Sequence, residues 1–404
     1  MSAPVKVLML VENSDYPEDT RVRREAETLQ QAGYQVAVIA PRLKISPYHE
    51  IINGVSVYRF SILLEGNNLL GFISEFAYAT LAMLFVSFRV WWSHGFDIIH
   101  AANPPDTFFI IGGFYKFFGK KFIFDQHDLA PETYLSRFAH ARPNLIYRGL
   151  RFFEWCSYRT ANRVIVTNES YRKMAVTRGK KQPDHVFIVR NGPVISVKSQ
   201  PADKELAKRA PYIICYIGVI APQDGVDYWL HAIYELVYTL NRRDFLAVII
   251  GDGDSLPELK QLAKELNIEP YVWFSGWVSD EDELLRYIST AHICVHPDPL
   301  NPLNQWSTTM KMMDYMAAGK PVVSFDLLEA RYSAQSAALY AQPNDVLDFA
   351  RKVAWLMDHK DERDRMGEFG RKRFCEALAW DYSIEKLLET YQSVIDHDRK
   401  PDHI

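Results

Sequence analysis

Short apolar runs alternate with amphipathic helical segments along this chain, and a polar stretch divides the alternation into two series. The first series of strand candidates is Val5–Glu12, Gln35–Ala40, Val55–Phe60, Asp97–Ala101, Lys121–Gln126, Arg163–Thr167 and Val186–Arg190. The second series is Tyr212–Ile217, Phe245–Ile250, Tyr271–Ser275, Ile293–Pro297 and Pro321–Phe325. Strands that alternate with helices form a mainly parallel sheet that helices cover on both faces. The sequence therefore predicts an α/β protein with two Rossmann-like domains.

The stretch that divides the two series is Pro193–Pro211, and its polar and proline-rich composition indicates a linker. The predicted division is 1–193 for the first domain, 194–211 for the linker, 212–379 for the second domain and 380–404 for a tail. The tail is helical by its period, with an apolar stripe formed by Leu387, Leu388, Tyr391 and Ile395. This stripe suits packing on either domain.

The composition excludes several classes of protein. A length of 404 residues with 48% hydrophobic and 24% charged residues is typical of a globular chain with two or three domains. A net charge of -4 argues against a general nucleic-acid binder, which needs a basic face. The cysteines Cys156, Cys215, Cys294 and Cys375 share no metal-ligand or redox spacing, which fits a reducing cytoplasm. We therefore expect no cofactor and no essential metal.

The most hydrophobic stretch, Leu69 to Trp92, raises the question of a membrane. Glu75 and Arg89 interrupt it, and the charge-free run between them is shorter than the ~20 residues that span a bilayer, so we expect no transmembrane helix. Its large apolar residues are Leu69, Leu70, Phe72, Ile73, Phe76, Phe85, Phe88, Trp91 and Trp92. The segment 114–121 adds aromatic residues and lysines, as interfacial segments do. Two interpretations stay open: peripheral attachment to the inner face of the cell membrane, or a helix buried in the first domain.

The segment Asn301–Val323 has the pattern of a phosphate-binding helix. The polar run Ser307, Thr308 and Thr309 precedes a predicted helix that Gly319 ends. The N-terminus of a helix binds anions through its backbone N–H groups. Lys311 in the first turn and Asp314 three residues later lie on one face, where they suit the phosphates and the ribose of a nucleotide diphosphate. By pattern alone, a capped surface helix with an ion pair is the alternative.

Several segments in the same order resemble the family-4 retaining glycosyltransferases of the GT-B fold. They are EDTRVRREAETLQQAGYQVAVIAP, YIGVIAPQDGVDYWLHAI, VIIGDGDSLPELKQLAKEL, VWFSGWVSDEDELLRYISTAHICVHPDP and KMMDYMAAGKPVV. The resemblance implies two Rossmann-like domains that face each other across a cleft, with the C-terminal helix crossing back to the first domain. It also implies transfer of a sugar, with retention, from a nucleotide-diphosphate sugar to a glycan or lipid-linked acceptor.

The resemblance assigns donor-binding residues, and the chain departs from the family at three of the positions. Asp314 matches the last acid of the E-x7-E motif, which holds the ribose, but Trp306 stands where the first acid belongs. Asp298, Asn301, Asn304 or Gln305 must then replace that acid, unless the sugar is held differently. Gly218 and Val219 match a Gly-Arg pair, and Asp224 matches a lysine, so both usual phosphate cations are missing. Lys311 is left to carry the charge, and we expect Asp224 to face solvent or cap the next helix.

Other donor-side expectations concern backbone and hinge positions. The family resemblance places Gly276 and Val278 near the nucleobase. The glycines Gly251 and Gly253 are explained by a tight turn. Arg190 fits either a hinge between domains or a phosphate contact.

His127 is the strongest candidate in the first domain because it follows the predicted strand Lys121–Gln126 at the edge where ligands bind. The nearby acids Asp125, Asp128 and Glu132 would favour its protonated form. The resemblance matches His127 to a histidine near the reaction centre and gives the deprotonation of the acceptor to the leaving phosphate. We therefore assign catalysis to His127 and Lys311, and the acceptor side to Asp128, Glu132 and Arg21.

Two other functions fit the same fold, because fold does not decide function. One is a nucleotide-sugar epimerase or hydrolase. The other is a catalytically inactive subunit that binds a membrane glycosyltransferase, which the absent acid and the absent cations favour.

Overall fold

The structure, a computed structural model, describes residues 3–42, 46–62, 69–138, 142–194 and 200–396. It divides into two compact units. The first unit comprises Met1–Tyr134, Arg142–Arg190 and Ser383–Ile404, and the second comprises Leu135–Ala141 and Asn191–Tyr382.

The first unit contains an eight-stranded sheet in the order β3-β4-β2-β1-β5-β6-β7-β8. Its strands are β1 Lys6–Leu10, β2 Gln35–Arg42, β3 His49–Ile52, β4 Val55–Ser61, β5 Ile98–Ala102, β6 Lys121–Gln126, β7 Arg163–Val166 and β8 Val186–Ile188. Its helices before the linker are α1 Thr20–Gln31, α2 Leu69–Ser93, α3 Phe109–Lys116, α4 Ala130–Arg137, α5 Leu145–Thr160 and α6 Glu169–Thr177, of which α4 extends into the second unit. Neighbouring strands are parallel except β3, which pairs antiparallel with β4.

Helix α1 shows how local sequence produces this packing. The carboxylate of Asp19 accepts a hydrogen bond from the backbone N–H of Val22 and so caps the helix start. Val22, Ala26 and Leu29 are buried on one face, as their spacing predicts. Gly33 then ends the helix with a positive φ of 91°. The Asp19 cap thus fixes the start of α1, which is the first helix after β1.

The second unit contains a six-stranded, all-parallel sheet in the order β11-β10-β9-β12-β13-β14. Its strands are β9 Tyr212–Ile217, β10 Phe245–Ile250, β11 Val272–Gly276, β12 Ile293–His296, β13 Val322–Phe325 and β14 Ala338–Ala341. Its helices are α7 Lys204–Ala207, α8 Val226–Tyr234, α9 Leu256–Glu265, α10 Glu281–Thr290, α11 Met310–Ala317, α12 Leu328–Ala334, α13 Val346–Asp358 and α14 Lys360–Arg373. The two Rossmann-like sheets confirm the predicted fold class.

The C-terminal helix α15, Trp380–Asp396, begins in the second unit and continues into the first. At its start, the backbone N–H of Trp380 donates to the carbonyl of Pro193, 3.0 Å away. Near its end, the Tyr391 hydroxyl lies 2.7 Å from Nδ1 of His100 in β5, and Arg163 of β7 donates to the hydroxyl and the carbonyl of Ser393. The apolar stripe of the tail therefore packs in the first unit.

Helix α2 differs from the expectation that was based on its charge-free run. The part Ile73–Ser93 is long and apolar enough to cross a membrane by length and composition. Ala79, Met83 and Val90 are nevertheless buried, and the helix packs against β2 and β4. Glu75 is half-buried and Arg89 is exposed, and neither interrupts the helix.

We predict that Gly225→Ala destabilises the second unit. Gly225 has a φ of 69°, and a Cβ atom there would lie 2.2 Å from the carbonyl oxygen of Pro297. We expect a loss of more than ~1 kcal/mol, measured as a lower melting temperature. The control is Gly149→Ala in α5, where no atom lies within 4 Å of the added carbon. Equal melting temperatures of the two variants would contradict the packing described for Gly225.

Candidate functional site

A cavity of about 410 Å³ in the second unit lies at the carboxyl ends of β9 and β10 and the start of α11. It is lined by Ile217, Gly218, Val219, Asp224, Ile250, Gly251, Trp277, Val278, Leu284, Thr309, Met310, Lys311 and Asp314. This edge is where ligands bind in open parallel sheets. The cavity therefore brings together six residues that the sequence assigned to donor binding or catalysis: Gly218, Val219, Val278, Thr309, Lys311 and Asp314.

The main chain forms the floor of this cavity, where Gly251 after β10 closely approaches Gly218 after β9. Gly251 has a φ of 148°, and a Cβ atom on it would lie 1.8 Å from the carbonyl oxygen of Gly218. The N–H of Gly218 donates to Ile250, and the N–H of Gly251 donates to Gly276. Gly251 is thus required by this close approach rather than by a tight turn alone, and a flat ligand group can come near the main chain.

The start of α11 points its helix dipole at the same cavity. Thr309 is the N-cap residue with an extended backbone, and among the described residues no side chain caps the helix. The Thr309 hydroxyl is instead 2.9 Å from Nε2 of His296, whose Nδ1 is 2.9 Å from the Ser324 hydroxyl. The first turn of α11 therefore offers backbone N–H groups and partial positive charge to an anion.

Lys311 belongs to this first turn, and its ammonium group already forms ion pairs with two carboxylates. Its Nζ is 2.8 Å from Asp298, 3.4 Å from Asp224 and 3.4 Å from the Tyr216 hydroxyl. The Lys311 side chain is only 7% exposed, and a buried ammonium group requires such partners. Burial lowers the pKa of Lys311, but the charge of Asp298 outweighs it and holds that pKa well above its usual value. Lys311 is therefore a protonated cation whose charge two carboxylates share.

This arrangement corrects the expectation for Asp224. The side chain is 18% exposed, and its carboxylate approaches Lys311 and accepts a hydrogen bond from the N–H of Ala221. It faces neither solvent nor the start of α8, whose N-cap is Gly225. The cause is the buried charge of Lys311, which attracts a second carboxylate beside Asp298. Burial and the neighbouring Asp298 raise the pKa of Asp224, although Lys311 opposes this.

Asp314 lines the cavity one turn after Lys311, in agreement with the predicted spacing. Two of the four proposed substitutes for the missing acid, Asn301 and Asn304, have other hydrogen-bond partners. Asn301 accepts hydrogen bonds from the backbone N–H groups of Leu303 and Asn304. Asn304 donates to the carbonyls of Gln223 and Pro299. These two amides hold the loop before α11, so the expectation that they contact the donor is not supported.

The polar run before α11 divides in the same way. Ser307 donates to the carbonyl of Leu303, and the Thr308 hydroxyl lies 3.4 Å from Glu329. As far as the described residues define the lining, only Thr309 of this run reaches the cavity. Ser307 and Thr308 thus shape the loop, because their hydroxyls bond to nearby groups outside the cavity.

Sequence reasoning missed two residues, Trp277 in the cavity wall and His296 in contact with Thr309. Trp277 follows β11 and forms one wall of the cavity with its largely exposed ring. The sequence analysis assigned only the neighbouring Gly276 and Val278 to this region. An exposed aromatic residue directly after a strand was the signal that could have identified it. His296 left no such signal, because its contacts with Thr309 and Asp298 join residues from different elements.

In the first unit, His127 follows β6 and is held at its main chain. The side-chain oxygen of Asn103 accepts hydrogen bonds from the backbone N–H groups of His127 and Asp128. The ring Nδ1 lies 3.6 Å from Asp125, and the side chain is 12% exposed. Burial lowers the pKa of His127, but the neighbouring carboxylates of Asp125 and Asp128 outweigh it and raise that pKa.

Two of the three residues assigned to the acceptor are committed to buried ion pairs. Arg21 binds Asp125 with two nitrogen–oxygen distances of 2.7 and 2.6 Å, and it is almost fully buried. Glu132 binds Arg178 through both carboxylate oxygens, at 2.7 and 3.1 Å. Charges buried in this way are paired, so Arg21 and Glu132 support the fold and do not face an acceptor. Asp128 remains beside His127.

Arg190 lies at the end of the first unit and is partly buried. Its carbonyl accepts a hydrogen bond from the Ser383 hydroxyl of α15, 2.9 Å away. This contact anchors the chain where it leaves the first unit, which agrees with a hinge role and leaves a phosphate contact of Arg190 as a prediction.

Two family models match the chain, one in its N-terminal part and one in its C-terminal part. Residues 19–193 match Glycosyltransferase Family 4, and residues 211–359 match Glycosyl transferases group 1. An α-D-kanosaminyltransferase of Streptomyces kanamyceticus is 28% identical over 158 residues, which is 39% of each chain. This chain spans between 39% and 58% of the length of the curated relatives it matches.

Solved structures show the same fold over nearly the whole chain. A sucrose-phosphate synthase from Thermosynechococcus elongatus has a TM-score of 0.80 at 16% identity, with 97% of this chain and 100% of the other covered. An Anabaena protein in complex with UDP-glucose has a TM-score of 0.70 at 15% identity, with 96% and 99% covered. The chain belongs to the family-4 type of glycosyltransferases with the GT-B fold.

We predict opposite effects for the two partners of the buried ion pair at the cavity. Asp224→Asn removes a negative charge near Lys311 and should strengthen the binding of a nucleoside diphosphate by about 0.5–1 kcal/mol. Lys311→Ala should weaken it, because Asp224 and Asp298 then lose their counter-charge. Calorimetry with UDP, GDP and ADP measures both, with the exposed Glu265→Gln in α9 as control. Weaker binding in Asp224→Asn would show that this carboxylate does not oppose the phosphates.

Proposed function

We propose that this protein transfers a sugar, with retention, from a nucleotide-diphosphate sugar to a glycan or lipid-linked acceptor. The observation that carries the proposal is that the start of α11, Lys311, Asp314 and the backbone floor at Gly218 line one cavity. A nucleotide diphosphate needs those three kinds of group: backbone donors, a cation and a hydroxyl acceptor. The Anabaena neighbour in complex with UDP-glucose supports this class of donor.

In the proposed complex, each part of the donor meets a different wall of the cavity. The nucleobase lies against Trp277 and Val278, and Asp314 accepts hydrogen bonds from the ribose hydroxyls. The diphosphate lies at the N-terminus of α11 above Lys311. The nucleobase thus lies at the exposed ring of Trp277, and the diphosphate lies at the buried ammonium group of Lys311.

The chemical step requires stabilisation of the negative charge that grows on the leaving phosphate. The helix N-terminus alone contributes about 0.3–1 kcal/mol at an exposed site, so Lys311 is the stronger contributor. The leaving phosphate then takes the proton of the attacking hydroxyl, and the new bond forms on the face that the phosphate left. This route needs no resident metal ion and no cofactor.

His127 is the residue that we assign to the donor sugar near the reaction centre. Its backbone is fixed by Asn103, and Asp125 and Asp128 favour its charged form. A protonated imidazole donates hydrogen bonds from its ring nitrogens, so it can bind a sugar hydroxyl and stabilise negative charge on the leaving phosphate.

A second candidate function is a non-catalytic subunit that binds a membrane glycosyltransferase. The observation that favours it is the charge balance beneath the cavity, where Asp298 and Asp224 already compensate Lys311. A site whose cation is neutralised in this way binds a diphosphate less strongly than one with free cations. Turnover, rather than structure, separates the two functions.

The deciding experiment measures nucleotide release from a panel of UDP-, GDP- and ADP-sugars, with and without oligosaccharide or polyprenyl-linked acceptors. We expect release that depends on both a donor and an acceptor, and a product with retained anomeric configuration. Release without any acceptor would favour a hydrolase, conversion of the donor sugar would favour an epimerase, and no turnover with any pair would favour the non-catalytic subunit. Asp314→Ala should weaken donor binding by ~1.5–3 kcal/mol through the lost hydrogen bonds.

We predict that His127→Ala lowers turnover about 10²–10⁴-fold while donor affinity changes little. The reason is that His127 acts on charge that develops in the transition state. Steady-state kinetics with the identified donor measures both parameters, and the exposed His231→Ala in α8 is the control. Turnover equal to that of the wild type would return His127 to a structural role.

The surface of the first unit supports attachment to a membrane. Helix α2 exposes Ile73, Leu81, Phe85, Phe88 and Trp92, the last of which is 96% exposed. Ring contacts such as Trp91–Phe118, 5.0 Å apart, join α2 to the segment after α3, where Phe117 is also exposed. Lys116, Lys120 and Lys121 lie at or directly after the end of α3, and Arg148 and Arg151 lie in α5.

Helix α5 extends this surface in a way that the sequence did not indicate. Leu145, Phe152 and Trp155 are exposed on it, and Phe153 contacts Phe109 of α3 at a ring distance of 6.3 Å. We name the exposed apolar residues of α2, α5 and the end of α3 the aromatic face. Aromatic residues beside cations are typical of segments that bind anionic lipids, so we propose a cytoplasmic protein that is peripheral on the inner face of the membrane.

We predict that the protein co-sediments with vesicles containing an anionic phospholipid and that Phe85→Ser with Trp92→Ser abolishes this binding. The double change removes two exposed rings from the lipid-facing side of α2 and leaves its buried face intact. Leu328→Ser on α12 of the second unit, where the leucine is also exposed, is the control. Protein that stays in the supernatant with anionic vesicles would count against attachment and against a lipid-linked acceptor.

A further inference from the structure

A network of buried ionisable residues lies behind His127 in the first unit. It is formed by Arg21 and Glu25 of α1, His100 of β5, Asp125 of β6 and Tyr391 of α15, and all five are almost fully shielded from solvent. Four separate elements thus contribute to one polar cluster inside an apolar sheet layer. Such a cluster is costly unless its charges and hydrogen bonds are matched.

Asp125 is the centre of this network. Arg21 binds both of its oxygens, and the ring nitrogens Nδ1 of His127 and Nε2 of His100 lie 3.6 and 3.7 Å from Oδ2. Glu25 lies 3.2 Å from Arg21 and 3.4 Å from Nε2 of His100. On its other side, His100 meets the Tyr391 hydroxyl at 2.7 Å. His100 therefore stands between the C-terminal helix and the two buried carboxylates.

Several atoms of the network are buried without a hydrogen-bond partner among the described residues. They are both carboxylate oxygens of Glu25, Nε2 of His100 and Nδ1 of His127. Buried polar atoms of this kind are few in native proteins and call for an explanation. Glu25 and His127 can each gain or lose a proton, and the neutral ring of His100 can carry its proton on either nitrogen, so these atoms can be satisfied by the placement of shared protons.

The charges of the network determine where the shared protons lie. Arg21 lies 2.6 Å from Asp125 and 3.2 Å from Glu25, so one guanidinium faces two carboxylates. A protonated His127 beside Asp125 supplies the second positive charge that balances a charged Glu25. The ligand atoms of Glu25, His100 and Asp125 lie within 4.8 Å of one another, and Arg21 supplies a positive charge to both carboxylates. A charged His127 is therefore matched by a charged Glu25, and a neutral His127 by a neutral Glu25.

We propose that Glu25 is a buried counter-charge that, together with Asp125 and Asp128, keeps His127 protonated, and that Tyr391 of α15 orients His100 to link Glu25 with His127. Glu25 is a positioning residue here, since it acts through His100 and Asp125. The inference rests on the proposed function, which gives protonated His127 its role at the donor sugar. It also gives the C-terminal helix a part in the chemistry, because Tyr391 comes from α15.

The titration of Glu25 agrees with this role in its sign. Burial raises the pKa of Glu25 to about 7, while Arg21 opposes the shift and Asp125 adds to it. As the pH rises through that value, Glu25 becomes negative and favours the charged form of His127, so His127 stays protonated to a higher pH. The charged or titratable groups that act on this site are Asp125, Asp128, Arg21, Glu25, His100 and Asp19.

The tautomer of His100 completes the link. If the Tyr391 hydroxyl donates to Nδ1, the proton of the neutral ring lies on Nε2 and points at Glu25 and Asp125. That N–H stabilises the Glu25 carboxylate. Loss of the hydroxyl frees the other tautomer, removes this donor and favours neutral Glu25.

The test is an NMR titration of the histidines in full-length protein with Glu25→Gln. We expect the His127 titration to move to lower pH, and turnover at pH 8 to fall about ten-fold with donor KM unchanged. Glu27→Gln on the same helix is the matched control and should leave both unchanged. An unchanged His127 titration in a folded Glu25→Gln protein would overturn the proposal.

Tyr391→Phe provides a second variant in case Glu25→Gln does not fold. It removes one hydroxyl and should move the His127 titration in the same direction, with a change of the His100 ring-nitrogen shifts to the other tautomer. Unchanged His100 and His127 signals would overturn the proposal. Both spectra are recorded without substrate, so they remain decisive even when the protein transfers no sugar.

Discussion

Each of the two sheets carries charge at its carboxyl edge, and the low dielectric beneath that edge requires every such charge to have a partner. In the first unit Arg21 and Asp125 meet this requirement, and in the second unit Lys311 and Asp298 do so. The first pair lies next to His127, and the second includes Lys311 itself. The ion pairs thus fix the positions of His127 and of the start of α11, and the arrangement of both sites follows from them.

Most of the strands could be predicted because strands buried on both faces appear as continuous apolar runs. β6, β9 and β10 have the predicted bounds. Two strands were missed for opposite physical reasons. β3 is an exposed antiparallel edge strand with charged residues, and β14 is short and rich in alanine, so neither shows the apolar run of a central strand.

The site was predictable where neighbours in sequence are neighbours in space. Lys311 and Asp314 share one helix face, and Gly218 with Val219 directly follows a strand, so the local pattern placed them correctly in one cavity. The pattern failed where the deciding partner is remote. Arg21 is committed to a carboxylate 104 positions away, and Glu132 to Arg178 across 46 positions. The polar character of these residues is visible in the sequence, but the partner that removes them from the surface is not.

The path of α15 has a consequence for dividing the molecule. The helix begins beside Pro193 in the second unit and ends with Tyr391 and Ser393 embedded in the first. A single proteolytic cut in the linker would therefore leave the units covalently tethered through this helix. A gene fragment that stops before α15 would encode a first unit with an open groove where Leu387 and Tyr391 belong. The first unit can be produced as an independent piece only if residues 383–396 are supplied with it, on the same chain or as a separate peptide.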